Sequence, residues 1–385
     1  MELRIREFLE EREKKGLLRR LTEVSPSRGG RIRIGNKEYI NFSSNDYLGL
    51  SAHPELARAA QEALSIASSS SASRLMTGST SLHHELEEKI ARFKGKSAAL
   101  VFNSGYQANV GIISALCGKD DVIFSDRLNH ASIIDGIRLS GAAFFRFRHN
   151  DVEHLEELLG RERGKFREAM IVTETVFSMD GDLAPISKIA RLKKKYNTLL
   201  MVDEAHATGV FGEKGSGLVE EAGTAEDVDI IMGTFSKAFG SFGSYVATSE
   251  ELRDFFVNTC RSFIYSTALP PAVIAANLAA LDVVRKEPER RRELLANAEH
   301  LRVSLKERGY DVKGSSQIVP IVLGDNKKAL QASDLLKEKG YWTLPVRPPT
   351  VPQGQARLRI SLTYDHARDI LDRFLKEGVN ESDTF

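Results

Sequence analysis

The chain has 385 residues, more than one hydrophobic core usually serves, so more than one domain is expected. Its 54 basic and 53 acidic side chains nearly cancel, and no long basic tract appears, which argues against nucleic acid or an anionic membrane as partner. The apolar runs are too short to span a bilayer as a helix. The opening Met1-Glu-Leu-Arg-Ile-Arg-Glu-Phe has no signal-peptide core, and Cys117 and Cys260 stand apart without metal-ligand spacing. Both features predict a cytoplasmic protein in which the two thiols are packing groups.

Residues 1–21 read as a charged amphipathic helix in which Arg4, Arg6, Arg12, Arg19 and Arg20 mostly face solvent. Residues 31–40 alternate around Gly35-Asn36, which predicts a hairpin. A polar loop with aromatics, Asn41-Phe-Ser-Ser-Asn-Asp-Tyr-Leu-Gly-Leu50, leads to a helix over 54–67. The serine-rich stretch 68–78 reads as a flexible linker or a functional loop. A helix over 84–94 follows, stopped by Gly95.

From Ala98 the pattern alternates. Strands are predicted at 98–102, 122–124, 144–147, 170–175, 199–203, 230–232 and 245–248. Helices separate the first five at 107–116, 131–139, 152–159 and 185–196. Such alternation predicts a mainly parallel sheet covered by helices on both faces, with ligands beyond the carboxyl ends of its strands. After Pro270-Pro271 the order changes to long helices over 272–286 and 289–308. Strands at 319–323, near Trp342 and at 356–362 then alternate with helices over 327–339 and from Asp365, and the tail 380–385 is expected to fray. This divides the chain into an N-terminal helix and hairpin segment (1–45), a large domain (46–287) and a smaller C-terminal α+β domain (288–385).

The strand ends carry the chemistry. The first strand leads to Asn103-Ser-Gly-Tyr-Gln-Ala-Asn109, where a glycine opening a helix leaves backbone N–H groups free for an anion. Later strand ends present His130, Ser178, Asp203, His206 and Lys237. Alone, Lys-Ala-Phe-Gly fits a surface loop and His130 fits a helix cap. Together, an anion nest at Gly105, a flat imidazole, a buried carboxylate and an amine suit one ligand. It is an aromatic aldehyde with a phosphate arm and a ring nitrogen to be kept protonated, which describes pyridoxal phosphate. A hydrolase built on Ser178, His206 and Asp203 is a second reading, but it lacks a nucleophile elbow and leaves Lys237 unused. A metal site on His130 and His206 has no further ligand at short spacing.

Several segments, in order along the chain, resemble the α-oxoamine synthases. They are Asn41-Phe-Ser-Ser-Asn-Asp-Tyr-Leu-Gly-Leu, Phe177-Ser-Met-Asp-Gly-Asp, Val202-Asp-Glu-Ala-His-Ala-Thr-Gly, Gly233-Thr-Phe-Ser-Lys-Ala-Phe-Gly, Ile264-Tyr-Ser-Thr-Ala-Leu-Pro-Pro and the stretch from Arg347 to Arg359. The resemblance runs from about residue 16 to about residue 375. It implies a fold-type I pyridoxal phosphate transferase that works as a homodimer with active sites at the subunit interface. The implied reaction condenses a small amino acid with an acyl thioester, releasing carbon dioxide and the free thiol. The segments at 42–50 and 347–352 favour the branch that joins L-alanine to a pimeloyl thioester, carried on CoA or a carrier protein, in biotin synthesis. A sister branch uses glycine and acetyl-CoA. Other relatives are catalytically silent partner subunits that lack the lysine, which the presence of Lys237 argues against.

The resemblance also implies roles. Lys237 would hold the cofactor and act as base, Asp203 would pair with its ring nitrogen, and His130 would stack on the ring. Ser178 and His206 would lie near the ring hydroxyl. The backbone of Gly105 and Tyr106, with Thr234, would bind phosphate, and Thr267 would add to it from the other subunit. Arg359 would clamp the amino-acid carboxylate, with Arg347 and Thr350 on the same approach. Asn45 would line the pocket, and Arg19, with Arg20 as the alternative register, would sit at the acyl entrance. One departure stands out: where the family has glycines before the position of Arg74, this chain has Ser68-Ser-Ser-Ser-Ala-Ser.

Overall fold

The computed structural model describes residues 1–26 and 28–379, so the tail 380–385 lies outside the described residues. The chain divides into two units. One comprises 50–178 and 183–291, the other 1–49, 179–182 and 292–385.

Thirteen strands occur among the described residues: β1 (Arg31–Ile34), β2 (Lys37–Asn41), β3 (Ala98–Phe102), β4 (Val122–Asp126), β5 (Ala143–Phe147), β6 (Ala169–Glu174), β7 (Leu199–Asp203), β8 (Ile230–Thr234), β9 (Ser244–Thr248), β10 (Ile318–Gly324), β11 (Tyr341–Trp342), β12 (Pro345–Val346) and β13 (Ala356–Ser361). The larger unit holds the seven-stranded sheet β3-β9-β8-β7-β6-β4-β5. Strands β4 to β8 pair in parallel, while β9 runs antiparallel between β3 and β8. The sheet is thus mainly parallel, as the alternation of elements predicts. Every residue of β3, β4, β6, β8 and β9 is buried, the pattern of strands covered on both faces. At the edge, β5 alternates in burial instead.

On one face Ile112 and Ile113 of the helix Gly105–Leu116 and Ile133 and Ile137 of the helix Ala131–Ser140 pack with Ile123, Val172, Met201 and Met232 of the sheet. Each such side chain contributes roughly 1.5–3 kcal/mol by leaving water. Cys117 and Cys260 are free thiols buried in this same core, as packing residues should be. The serine-rich stretch is tied to the segment 267–269 by hydrogen bonds. Ser70 Oγ donates to the Leu269 carbonyl at 2.6 Å, and Ala268 N donates to the Ala72 carbonyl at 2.9 Å. Ser71 takes φ +58°, a left-handed conformation that glycine adopts more cheaply. Arg74 is clamped to Glu87 by two hydrogen bonds of 2.7 and 2.9 Å.

The smaller unit carries the sheets β1-β2-β11 and β10-β13-β12. Strands β1 and β2 form the predicted hairpin, with Ile34 opposite Lys37 and Gly35 at φ +57° in the turn. The N-terminal helix is shorter than predicted, Glu2–Lys14, because Gly16 takes φ +62° and turns the chain out of the helix. The last helix also starts later than expected, at Arg368.

Candidate active site

The predicted residues follow the ends of β8, β7, β6 and β4, four neighbouring strands of the larger unit, and the end of β3, which the antiparallel β9 separates from them. Asp203 ends β7. Its Oδ2 accepts from Asn109 Nδ2 at 2.9 Å and its Oδ1 from Ala205 N at 2.8 Å. Two donors hold this side chain, only 5% exposed, in place. Two residues beyond Glu204 in the same turn lies His206, whose Nε2 is 2.9 Å from Lys237 Nζ. Lys237 is half-buried in the turn after β8, so the structure brings lysine and histidine into direct contact.

His130 caps the helix Ala131–Ser140 and accepts from Ser132 N through Nδ1. That nitrogen also lies 2.7 Å from Ser132 Oγ, which in turn accepts from Asn109 Nδ2 at 3.0 Å. Asp203, Asn109, Ser132 and His130 therefore form one hydrogen-bonded chain. His130 stays exposed. Desolvation by the atoms packed behind it lowers its pKa, Lys237 acts in the same direction, and Asp203 and Asp135 oppose them.

The helix Gly105–Leu116 starts at the end of β3, with Ser104 as its cap accepting from Gln107 N at 3.2 Å. Its first backbone N–H groups, at Gly105 and Tyr106, have no intrahelical acceptor. A Cβ built on Gly105 would meet nothing nearer than Met232 Cε at 3.6 Å, so glycine leaves room in front of the helix. The Tyr106 hydroxyl turns away to Asp135. Thr234 Oγ1 donates to the Gly243 carbonyl at 2.9 Å and accepts from Ser236 N at 3.1 Å, so this hydroxyl braces its own loop. Thr267 is exposed, and its carbonyl accepts from Asn103 Nδ2 at 2.9 Å. Ser178 is half-buried beyond β6.

The smaller unit groups the residues expected at the substrate. Arg359, on β13, donates from both terminal nitrogens to Asn45 Oδ1 at 3.2 Å. It also reaches Ser361 Oγ at 2.5 Å and Tyr47 Oη at 3.3 Å. These three neighbours carry no charge and hold the guanidinium fork in place. A separate cavity of about 210 Å³ is lined by Leu17, Arg19, Met179, Arg347 and Thr350 among others. Arg19 donates to Thr350 Oγ1 at 2.9 Å, and Arg347 to the Gly16 carbonyl. Arg20 pairs with Glu13 at 2.8 Å instead, so Arg19 is the arginine that faces the cavity. Desolvation, and then the charge of Arg19, lowers the pKa of Arg347.

Two residues of the larger unit had no role in the sequence reading. Asn109 closes the motif that opens at Asn103, and Glu174 ends β6 as Asp203 ends β7. Position at a strand's carboxyl end was the signal available for Glu174. Among the described residues no cluster of three or more His, Cys, Asp or Glu side chains has the arrangement of a metal site, and no helix is long and apolar enough to cross a membrane.

This fold with these strand-end residues defines a fold-type I pyridoxal phosphate transferase. The family model for aminotransferase class I and II matches residues 37–376, and the chain belongs to that family. It is 50% identical over 369 residues to an 8-amino-7-oxononanoate synthase of Geobacter sulfurreducens, covering 95% of this chain and 94% of the relative. Another 8-amino-7-oxononanoate synthase, from Chlorobaculum parvum, is 47% identical, with 92% of each chain covered. Among solved structures, serine palmitoyltransferase of Sphingomonas wittichii superposes with a TM-score of 0.91 at 33% identity, covering 98% of this chain and 95% of that one. A serine palmitoyltransferase solved with pyridoxal phosphate gives 0.89 at 33% identity, covering 92% and 91%.

Proposed function

We propose that this chain catalyses the decarboxylative condensation of L-alanine with a pimeloyl thioester, giving 8-amino-7-oxononanoate, carbon dioxide and the free thiol in biotin synthesis. The observation that carries the chemistry is the 2.9 Å contact of Lys237 Nζ with His206 Nε2, one turn from the doubly held Asp203 carboxylate. The near-full-length similarity to 8-amino-7-oxononanoate synthases supports the choice of substrates.

The residues present fit pyridoxal phosphate. Lys237 offers an amine for its aldehyde, Asp203 an anion for its ring nitrogen, His130 a flat exposed ring, and the helix start at Gly105 a cradle for its phosphate. His206 and Ser178 suit the ring hydroxyl. Thr234 shapes the phosphate loop through its own hydroxyl bonds, and Thr267 serves the phosphate of a second copy in a homodimer. When bound, the cofactor supplies an electron sink for charge that develops at the amino acid's α-carbon.

The protein supplies the rest. Asp203, fixed by Asn109 and Ala205, keeps the proton on the ring nitrogen. Arg359 binds the amino-acid carboxylate as a fork, with Asn45 beside it. Lys237 Nζ takes the α-proton, and His206 Nε2, in contact with that nitrogen, orients it. Arg19, Arg347 and Thr350 line the cavity that receives the acyl substrate. Two buried thiols suit a reducing cytoplasm.

The test is thiol release by the purified protein with two substrate pairs. L-Alanine with pimeloyl-CoA should release CoA, and glycine with acetyl-CoA should not. Release with the second pair alone moves the assignment to the glycine branch and leaves the site standing. Sedimentation at micromolar concentration should report a dimer.

A further inference from the structure

Glu174 has no part in the roles described so far. It ends β6 as the register partner of Asp203 in the parallel pair β6–β7, and such partners point to the same face of the sheet. It is 3% exposed. Its backbone N–H donates to Asn129 Oδ1 at 3.0 Å, which fixes the strand end.

Groups from four elements act on the carboxyl. Asp203 faces it from β7, Lys237 from the turn after β8 and Asp126 from β4, while the His130 backbone N–H reaches it from the start of the helix Ala131–Ser140. Asp126 is well served, by Leu128 N at 2.8 Å, Asn150 N at 2.9 Å and His149 Nδ1 at 3.1 Å. Asp203 is served by Asn109 and Ala205. Glu174 has only the His130 N–H, and its Oε1 is buried with no hydrogen-bond partner. Two carboxylates side by side in a dry site cannot both keep their charge while one ammonium, Lys237, faces them. The one with fewer donors takes the proton. Burial first, and Asp203 second, push the pKa of Glu174 well above the usual carboxylate range.

We propose that Glu174 is a further residue of the cofactor site, a carboxyl that stays uncharged at neutral pH and offers the bound cofactor an O–H donor while Asp203 beside it serves as the anion. The proposal rests on the pyridoxal phosphate reading above. It gives the two neighbouring carboxyls opposite tasks. One holds a negative charge at the ring nitrogen. The other holds a proton and adds no charge near Lys237.

The experiment titrates the visible absorption of the cofactor-loaded protein against pH, for the wild type, Glu174→Gln and Glu174→Leu. Glutamine is uncharged and keeps a donor, so its midpoint should match the wild type within about 0.3 unit. A fall of about one unit or more, as the loss of an anion beside Lys237 requires, overturns the proposal. Leucine removes the donor and should weaken cofactor binding roughly five- to tenfold by fluorescence titration. Unchanged affinity in a folded Glu174→Leu protein overturns the donor role. Should either variant fail to fold, infrared spectra of the wild-type holoprotein labelled with ¹³C-glutamate decide. A shifted protonated-carboxyl band at neutral pH supports the proposal, and its absence overturns it. A wild type that develops no visible band with pyridoxal phosphate sinks the family reading too, whereas a normal band with a displaced Glu174→Gln midpoint sinks this proposal alone.

Discussion

Asn109 Nδ2 lies 2.9 Å from Asp203 Oδ2 and 3.0 Å from Ser132 Oγ, so one amide ties the site's anion to the residue that orients His130. Asn109→Ala breaks both bonds and leaves Asp203 with the Ala205 N–H. A hydrogen bond to a charged group is worth about 1.5–3 kcal/mol, so kcat should fall roughly tenfold to a hundredfold. Cofactor should remain bound, since Lys237 is untouched. Steady-state kinetics beside an absorption spectrum separate the two. A variant with wild-type kcat would remove Asn109 from the site's electrostatics.

Arg359 tests the substrate side. Its fork meets Asn45, Tyr47 and Ser361 through both terminal nitrogens at once, a geometry that lysine cannot reproduce. In Arg359→Lys the KM for the amino acid should rise by about tenfold or more, while the KM for the acyl thioester stays near its wild-type value. Equal rises in both would show that the substitution disturbs the unit rather than one carboxylate contact.

Much of this was legible in the sequence because the strands of the large sheet are short apolar runs followed by chemistry-bearing residues, and glycines such as Gly118 and Gly141 close the helices between them. Position at successive strand ends, taken together with the family resemblance, singles out Asp203, His206 and Lys237. What failed to show has physical reasons. The antiparallel run of β9 leaves no mark in composition, since a strand buried on both faces reads the same in either direction. Strand β12 is two residues long and includes a proline. Glu174 ended a predicted strand without the motif that surrounds Asp203, and Asn109 looked like any polar residue on a helix. Residues 15–21 carried helical charge patterning, yet one glycine in a left-handed conformation ended the helix before them.

His366 predicts a pH dependence of stability. Its ring is fully buried, Nε2 has no hydrogen-bond partner, and the Phe42 ring lies 4.6 Å away. Desolvation lowers its pKa from 6.5 to about 4. The unfolded chain therefore binds the extra proton more readily, and stability rises with pH between those two values. The contribution is complete above pH 6.5 and is lost as pH falls toward 4, by on the order of 3 kcal/mol. His366→Asn keeps an acceptor for the Thr363 N–H, which His366 Nδ1 now takes at 3.2 Å. The variant should show a flatter pH dependence of urea unfolding in this window, whatever its absolute stability. An unchanged slope would mean that other groups set the acid limit.

Behind the Asp203 turn, Lys94 and Glu204 form an ion pair of 2.7 Å with both side chains fully shielded from solvent. Lys94 Nζ also donates to Thr208 Oγ1 at 2.9 Å and to the Ser216 carbonyl, and Glu204 Oε1 accepts from Val219 N at 2.9 Å. The pair thus pins the turn between Asp203 and His206 to the end of the helix Ser81–Lys94 and to the loop before Val219. Removing one partner leaves a buried charge without its counterion, which costs about 3–5 kcal/mol. Lys94→Met alone should lower stability by that amount in denaturant titration. Lys94→Met with Glu204→Leu removes both charges, and much of the loss should return, although the Val219 N–H then goes without its acceptor. Since Asp203 and His206 flank Glu204, the single variant should also lower kcat, and the double variant should recover stability more fully than activity. If both recover together, the pair holds the fold without setting the position of the turn between Asp203 and His206.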